Sequence, residues 1–237
     1  MYGIIERGST GLPPSVPFEQ PKNLFRYGEQ TIWSTQLHTQ NTAIANGSFR
    51  LFTTPLGQVG QGFSNSLSIG ETSLKEGGRI PAGIAFDIFG IACQIGKAEN
   101  TESSGTNALL GDVMNTAEET NQLASMQTEG VLSWDFTQTQ VEIAPITMIG
   151  AGGGTFGSVG VAAANAAAPT TTSAGNMQNG AGSVFLYRKH PVALPGNSTF
   201  SILLRYGSRA AAIPNTNGDY FVKVVLMGYY KNVIEIG

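Results

Sequence analysis

Charge is what this sequence has least of. Only 12% of its 237 residues are Asp, Glu, Lys or Arg, about half the share of roughly 25% in an average globular chain. Thirteen basic side chains against 16 acidic ones leave a formal net charge of −3, which excludes a global electrostatic attraction to nucleic acid and argues against a nucleic-acid-binding enzyme. Cysteine is scarcer still. Cys93 stands alone, so there is no intrachain disulfide framework and no multi-cysteine metal site. Within the apolar run Phe89–Ile95 it reads as a small buried thiol. The two histidines, His38 and His190, lie far apart, and neither has metal-ligand spacing to a carboxylate. Both read as solvated or structurally hydrogen-bonded.

Long hydrophobic runs are missing as well. The longest, Ile80–Gly96, is interrupted by Pro81 and Asp87 and falls short of the roughly 20 residues a membrane helix needs. The opening Met1-Tyr2-Gly3-Ile4-Ile5-Glu6-Arg7 has no basic segment followed by an apolar one, so no signal peptide is expected and a soluble, cytoplasmically made protein is.

What fills the chain instead is glycine, 31 residues of it, with Asn, Gln, Ser and Thr at the polar positions. A weakly charged polar surface suits lasting contact with other copies of the same chain; a secreted β protein with neutral loops would share it. The strongest pattern lies near the end. Thr199–Tyr206 and Tyr220–Ile236 are extended runs separated by Gly207–Gly218, with Pro214, Asn215, Asn217 and Gly218 as turn residues. In the second run Tyr220, Val222, Val224, Leu226 and Tyr230 alternate with Phe221, Lys223, Val225, Met227 and Tyr229. That is a strand period of two with apolar residues on both phases, so both faces need cover.

In chain order, residues 1–30 are Gly- and Pro-rich (Pro13, Pro14, Pro17, Pro21) and read as an extended arm with balanced charge. Strands are expected at Thr31–Leu37, Ser48–Thr53 and Ala82–Lys97, with a glycine-rich loop over Pro55–Leu67. After a polar loop at Ala98–Gly105, Asn107–Met126 reads as the one helix, with Thr106 as N-cap and Gly130 as stop. Val131–Phe136 and Gln140–Ile146 follow as strands. Gly150–Gly182 is nearly all Ala, Gly, Thr, Ser and Asn. It has too little apolar area for a core of its own and reads as a close-lying excursion from one end of the domain. Ser183–Arg188 is a further strand, and Lys189–Gly196 turns into the final pair. Eight or nine strands, one short helix and long loops predict an all-β jelly-roll sandwich, with 31–237 as a single domain behind the arm.

Candidate chemistry is thin. Gly150-Ala151-Gly152-Gly153-Gly154-Thr155-Phe156-Gly157 lacks the Lys-Ser/Thr pair of a phosphate loop. Glu71, Asp87, Asp135 and Glu142 could supply a carboxylate pair for glycoside hydrolysis, but nothing in their spacing selects one. Arg188, Lys189, Arg205, Lys223 and Lys231 make the last third mildly basic, which fits either a solvated rim or a face that meets phosphates. Trp33 and Trp134 read as core or sheet-edge residues. No catalytic, cofactor-binding or metal site and no small-molecule substrate is expected, and the chain is not read as an enzyme.

Two segments carry a resemblance. Leu67–Pro81 leading into the strand Ala82–Lys97, and the ending Phe221–Ile236 as a strand, a glycine and a closing run, are similar to jelly-roll capsid proteins of tailless icosahedral bacteriophages, including those with an internal membrane. The similarity covers most of residues 30–237 as an order of elements; the strand count fits one jelly roll, where many of those capsid proteins have two. It implies a virion shell protein that assembles with itself into capsomers, trimers or pseudo-hexamers, and with other virion proteins, its inner face meeting a membrane or a genome. On that expectation residues 1–30 and 150–182 make most contacts between subunits. The alternative is a trimeric phage spike, fibre head or lectin-like binding module of the same fold.

Overall fold

The computed structural model describes residues 3–5, 23–60, 62–98, 110–112, 117–136, 139–149, 185–186, 191–213 and 219–235. In chain order the strands are β1 (Gly3–Ile5), β2 (Asn23–His38), β3 (Ser48–Leu51), β4 (Ile84–Ala98) and β5 (Leu110–Asp112). Helix α1 (Ala117–Glu129) runs straight into β6 (Gly130–Phe136), followed by β7 (Thr139–Pro145) and a 3-10 turn at Ile146–Met148. Then come β8 (Phe185–Leu186), β9 (Val192–Leu194), β10 (Phe200–Tyr206) and β11 (Asp219–Glu235).

These strands make two antiparallel sheets. The long sheet runs β1-β2-β11-β4, with β9, β8 and β5 pairing in turn along the free edge of β4; the second runs β3-β10-β6-β7. Fold the chain back on itself between β6 and β7, and β4 meets β9, β3 meets β10, and β2 meets β11. That rolled antiparallel ribbon is a jelly roll, as the strand pattern predicts. β11 is its central strand, paired from Tyr220 to Glu235 with β2 and from Asp219 to Asn232 with β4.

The core lies between the sheets. The even residues of β11 (Tyr220, Val222, Val224, Leu226) face Ile91, Cys93 and Ile95 of β4 and, across the sandwich, Leu132, Trp134, Ile202 and Leu204. Each large side chain sealed there contributes about 1.5–3 kcal/mol. A bulge breaks the β4–β11 register between Met227 and Gly228, so that Phe89 of β4 is an extra residue. Glycine is required opposite it: a Cβ at 228 would lie 2.6 Å from the Asp87 carbonyl oxygen and 2.7 Å from the Phe86 ring.

Three boundaries differ from the sequence reading. β2 begins at Asn23, inside the expected arm, because β11 is long enough to pair it back to that point. Leu110–Asp112 is a strand on β4, and the helix starts only at Ala117 and ends at Glu129; pairing to a long edge overrides helical spacing there. Val192–Leu194, inside the expected turn, pairs with Phe86–Ile88 of the same edge. The proposed N-cap Thr106, most of the arm and Gly150–Gly182 lie outside the described residues.

Candidate assembly surface

The two outer faces of the sandwich differ in chemistry. On the second sheet the outward residues are mostly polar: Arg50 of β3, Ser201 and Arg205 of β10, Ser133 and Asp135 of β6, Gln140 and Glu142 of β7. Arg50 Nη2 lies 3.1 Å from Asp135 Oδ2, which also accepts a 3.1 Å hydrogen bond from Ser201 Oγ, and Arg205 donates to Ser133 Oγ at 3.0 Å. Beside them an open cleft of about 410 Å³ is bordered by Thr53, Phe136 and Thr199.

The long sheet is different. Its outward residues are Trp33, Thr35 and Leu37 on β2, and Phe221, Lys223, Val225, Met227 and Tyr229 on β11. Gly96, Gln94, Ala92 and Gly90 of β4 lie alongside. One half of this face is covered. Residues 55–73 cross it as a lobe, with Phe63 packed on Leu37 and Phe221. Trp33 Nε1 donates to Ile69 O at 2.9 Å, Thr35 Oγ1 to Glu71 O at 2.8 Å, and Lys223 Nζ to Gly70 O at 2.9 Å. Trp33 and Ser73 are bonded twice, Ser73 N–H to Trp33 O at 3.1 Å and Trp33 N–H to Ser73 Oγ at 2.8 Å. Burial pushes the Lys223 ammonium down, partly offset by the Glu71 carboxylate.

The other half carries Met227, Tyr229 and Phe89, the last two in ring contact at 4.9 Å, beside the Asp87–Lys231 ion pair. Tyr229 is 41% exposed.

Beneath the covered half lies a polar layer inside the sandwich. His38, Tyr220 and Lys97 sit side by side on β2, β11 and β4. Lys97 Nζ pairs with Glu119 Oε1 of α1 at 2.9 Å, both side chains almost wholly enclosed. Glu119, Gln122, Leu123 and Met126 form the buried stripe of the helix. His38 Nε2 and the Tyr206 hydroxyl share a 3.1 Å hydrogen bond, and Phe49 stands edge-on to the imidazole at 4.6 Å. Burial drives the His38 pKa down to about 3 and holds Tyr206 above its ordinary value, with Cys93 adding to the latter.

The residues singled out from sequence therefore disperse. Cys93 is buried as expected, its thiol pushed up to about 12 by burial. His38 is structurally hydrogen-bonded, not solvated; Trp134 is core, and Trp33 braces the lobe. Glu71 accepts the Ser68 N–H at 2.6 Å; Asp87 and Asp135 lie on different sheets, and Glu142 is exposed on β7. His190, Arg188, Lys189 and the glycine run at 150–157 fall outside the described residues. Sequence reasoning missed the Lys97–Glu119 pair. Its signal was present: Lys97 is in phase with Cys93 and Ile95, the inward set. Among the described residues no group of three or more His, Cys, Asp or Glu side chains could hold a metal, and no helix is long and apolar enough to cross a membrane. Comparison with protein-family models, with curated proteins and with solved structures finds no match to this chain.

Proposed function

We propose that this protein is a virion structural protein, a self-assembling major capsid subunit whose copies build an icosahedral shell around a genome or an internal membrane. One observation carries the reading: a jelly roll whose long sheet, among the described residues, leaves the Phe89–Tyr229 half of its outer face uncovered, with Phe89 half-buried and Tyr229 41% exposed. Apolar surface of that kind on a sheet marks a protein contact. The low charge of the chain fits the same use, since neutral surfaces lose little hydration when they meet. The reading assigns no catalytic role: Asp87 and Asp135 hold ion pairs and Glu71 caps a turn at Ser68.

Light scattering on purified protein, followed by negative-stain imaging, tests it. Discrete capsomers or closed shells are expected. A monomer that persists at high concentration would end the coat reading. The cleft beside Arg50, Asp135 and Phe136, where charged, hydroxyl and aromatic side chains meet, is the observation that favours the second reading, a trimeric sugar-binding spike or fibre head. Chemical shift changes at those residues on titration with simple sugars, in a protein that stops at trimers, would decide for it.

A further inference from the structure

Six large hydrophobic side chains stand exposed among the described residues, and four of them belong to two surfaces. Leu56 (47%), Val59 (59%) and Ile69 (62%) project from the lobe, and Tyr229 (41%) from the bare half of the long sheet. The lobe is not loosely held. Its two arms are laced by Gly57 N–H to Leu67 O at 2.9 Å and Leu67 N–H to Gln58 O at 2.8 Å. Its base is pinned by Trp33, Thr35 and Lys223. Its apolar tips are thus presented in a fixed arrangement, which lowers the ordering cost of binding.

Charge narrows the partner. Residues 51–70 contain no Asp, Glu, Lys or Arg, and Glu71 at the base of the lobe is buried near Lys223, so the exposed tips offer no cation for a lipid headgroup and no anion for a basic surface. Its polar groups are hydroxyls and amides, which suit a neutral protein face. The bare half of the long sheet is such a face: Met227, Tyr229 and Phe89, with Asp87 and Lys231 neutralising each other. Within one chain the lobe is tied down at Trp33 and Lys223. Phe221, which it covers, is eight residues from Tyr229 along β11, a span of about 26 Å at ~3.3 Å per residue.

We propose that the neutral lobe at residues 55–70 seats on the Phe89–Tyr229 half of the long sheet in a second copy of this chain. The inference rests on the self-assembly reading and adds which surfaces meet. The contact is heterologous, one patch against a different patch, so repetition builds rings or an extended lattice and does not stop at a pair.

Cysteine pairing tests the register, because Cys93 is fully buried and gives no background. Protein carrying Val59→Cys is mixed with protein carrying Tyr229→Cys under mild oxidation, so any mixed disulfide is between copies by construction. The expected result is a mixed dimer formed several-fold faster than with Gln140→Cys, an exposed position on the other sheet. In parallel, Val59→Glu is expected to keep the wild-type circular dichroism while its scattering mass falls toward that of one chain. Equal disulfide rates at Tyr229 and Gln140, or Val59→Glu particles like those of the wild type, would overturn the lobe contact and leave the coat reading standing. Wild-type protein that is monomeric at every concentration would overturn both. Co-sedimentation of the wild type with phosphatidylcholine vesicles, lost in Val59→Glu while assembly persists, would show that the lobe serves a lipid surface instead.

Discussion

His38 is neutral in the folded protein because its ring is sealed between Phe49 and Tyr206. Unfolding returns it to water, where its pKa is the ordinary 6.5, against about 3 in the fold. The unfolded chain therefore takes up a proton that the folded one refuses. The stabilisation is present in full above about pH 6.5 and is lost as pH falls from there toward 3. A gap of that size corresponds to about 5 kcal/mol at ~1.36 kcal/mol per unit. Urea unfolding at pH 7, 5 and 4 should show this decline, and His38→Gln, which can still bond the Tyr206 hydroxyl, should flatten it. Identical pH slopes in the two proteins would remove His38 as the cause. The Lys97–Glu119 pair gives a second residue-scale prediction. Glu119→Gln leaves a buried ammonium without its counter-ion and should cost about 3–5 kcal/mol. Lys97→Met with Glu119→Leu removes both charges and should cost much less. A double variant as unstable as the single one would show that the pair itself, and not the orphaned charge, matters.

Among the elements, the β4 edge explains both what the sequence disclosed and what it concealed. Strands with strict alternation on a long partner were legible: β10, β11, β4 and β6 fall within a few residues of their expected bounds. Of the short pieces on the β4 edge, Phe185–Leu186 lies inside the expected strand Ser183–Arg188. Leu110–Asp112 and Val192–Leu194 were not legible, because three residues carry no period of their own and are extended only by what they pair with. The lobe was legible as a glycine-rich loop, but its exposed Leu56, Val59 and Ile69 look in sequence like any buried apolar residues. Ile149 O accepts from Cys93 N–H at 3.0 Å, and Phe185 pairs with Ile91. The chain thus leaves and rejoins the same strand beside residues 150–184. Replacing 150–184 by a short Gly/Ser linker should leave the melting temperature within a few degrees of wild type while abolishing normal particles. Loss of the folded sandwich would refute the first half, and normal particles the second. Gly228→Ala should destabilise by about 1–3 kcal/mol through overpacking against Phe86 and the Asp87 carbonyl. Thermal melting that shows no loss would mean the bulge can shift.

For the molecule as a whole, the asymmetry of the two outer faces sets how assembly responds to solvent. On the polar face Arg50 pairs with Asp135, and the exposed tips of the lobe carry no charge, while Asp87 and Lys231 pair beside Tyr229. Particle mass should then change little as sodium chloride rises to about 1 M, where the screening length is only ~3 Å, and sulfate should favour assembly by strengthening apolar burial. Steep dissociation with sodium chloride would show that ion pairs between copies hold the shell.

The place of β11 also governs when such a protein can act. The strand at the centre of the long sheet is translated after every other strand among the described residues. Until it emerges from the ribosome, β2 and β4 have no partner between them, and the pairing that joins residue 23 to residue 235 must wait for more than 200 further residues. Folding dominated by such distant contacts is slow, and half-made sheets expose edges that invite aggregation. The same delay is protective for a subunit meant to polymerise. Both the bare half and the strands that brace the lobe depend on β11, so a nascent chain has no finished docking surface to offer its neighbours on the polysome.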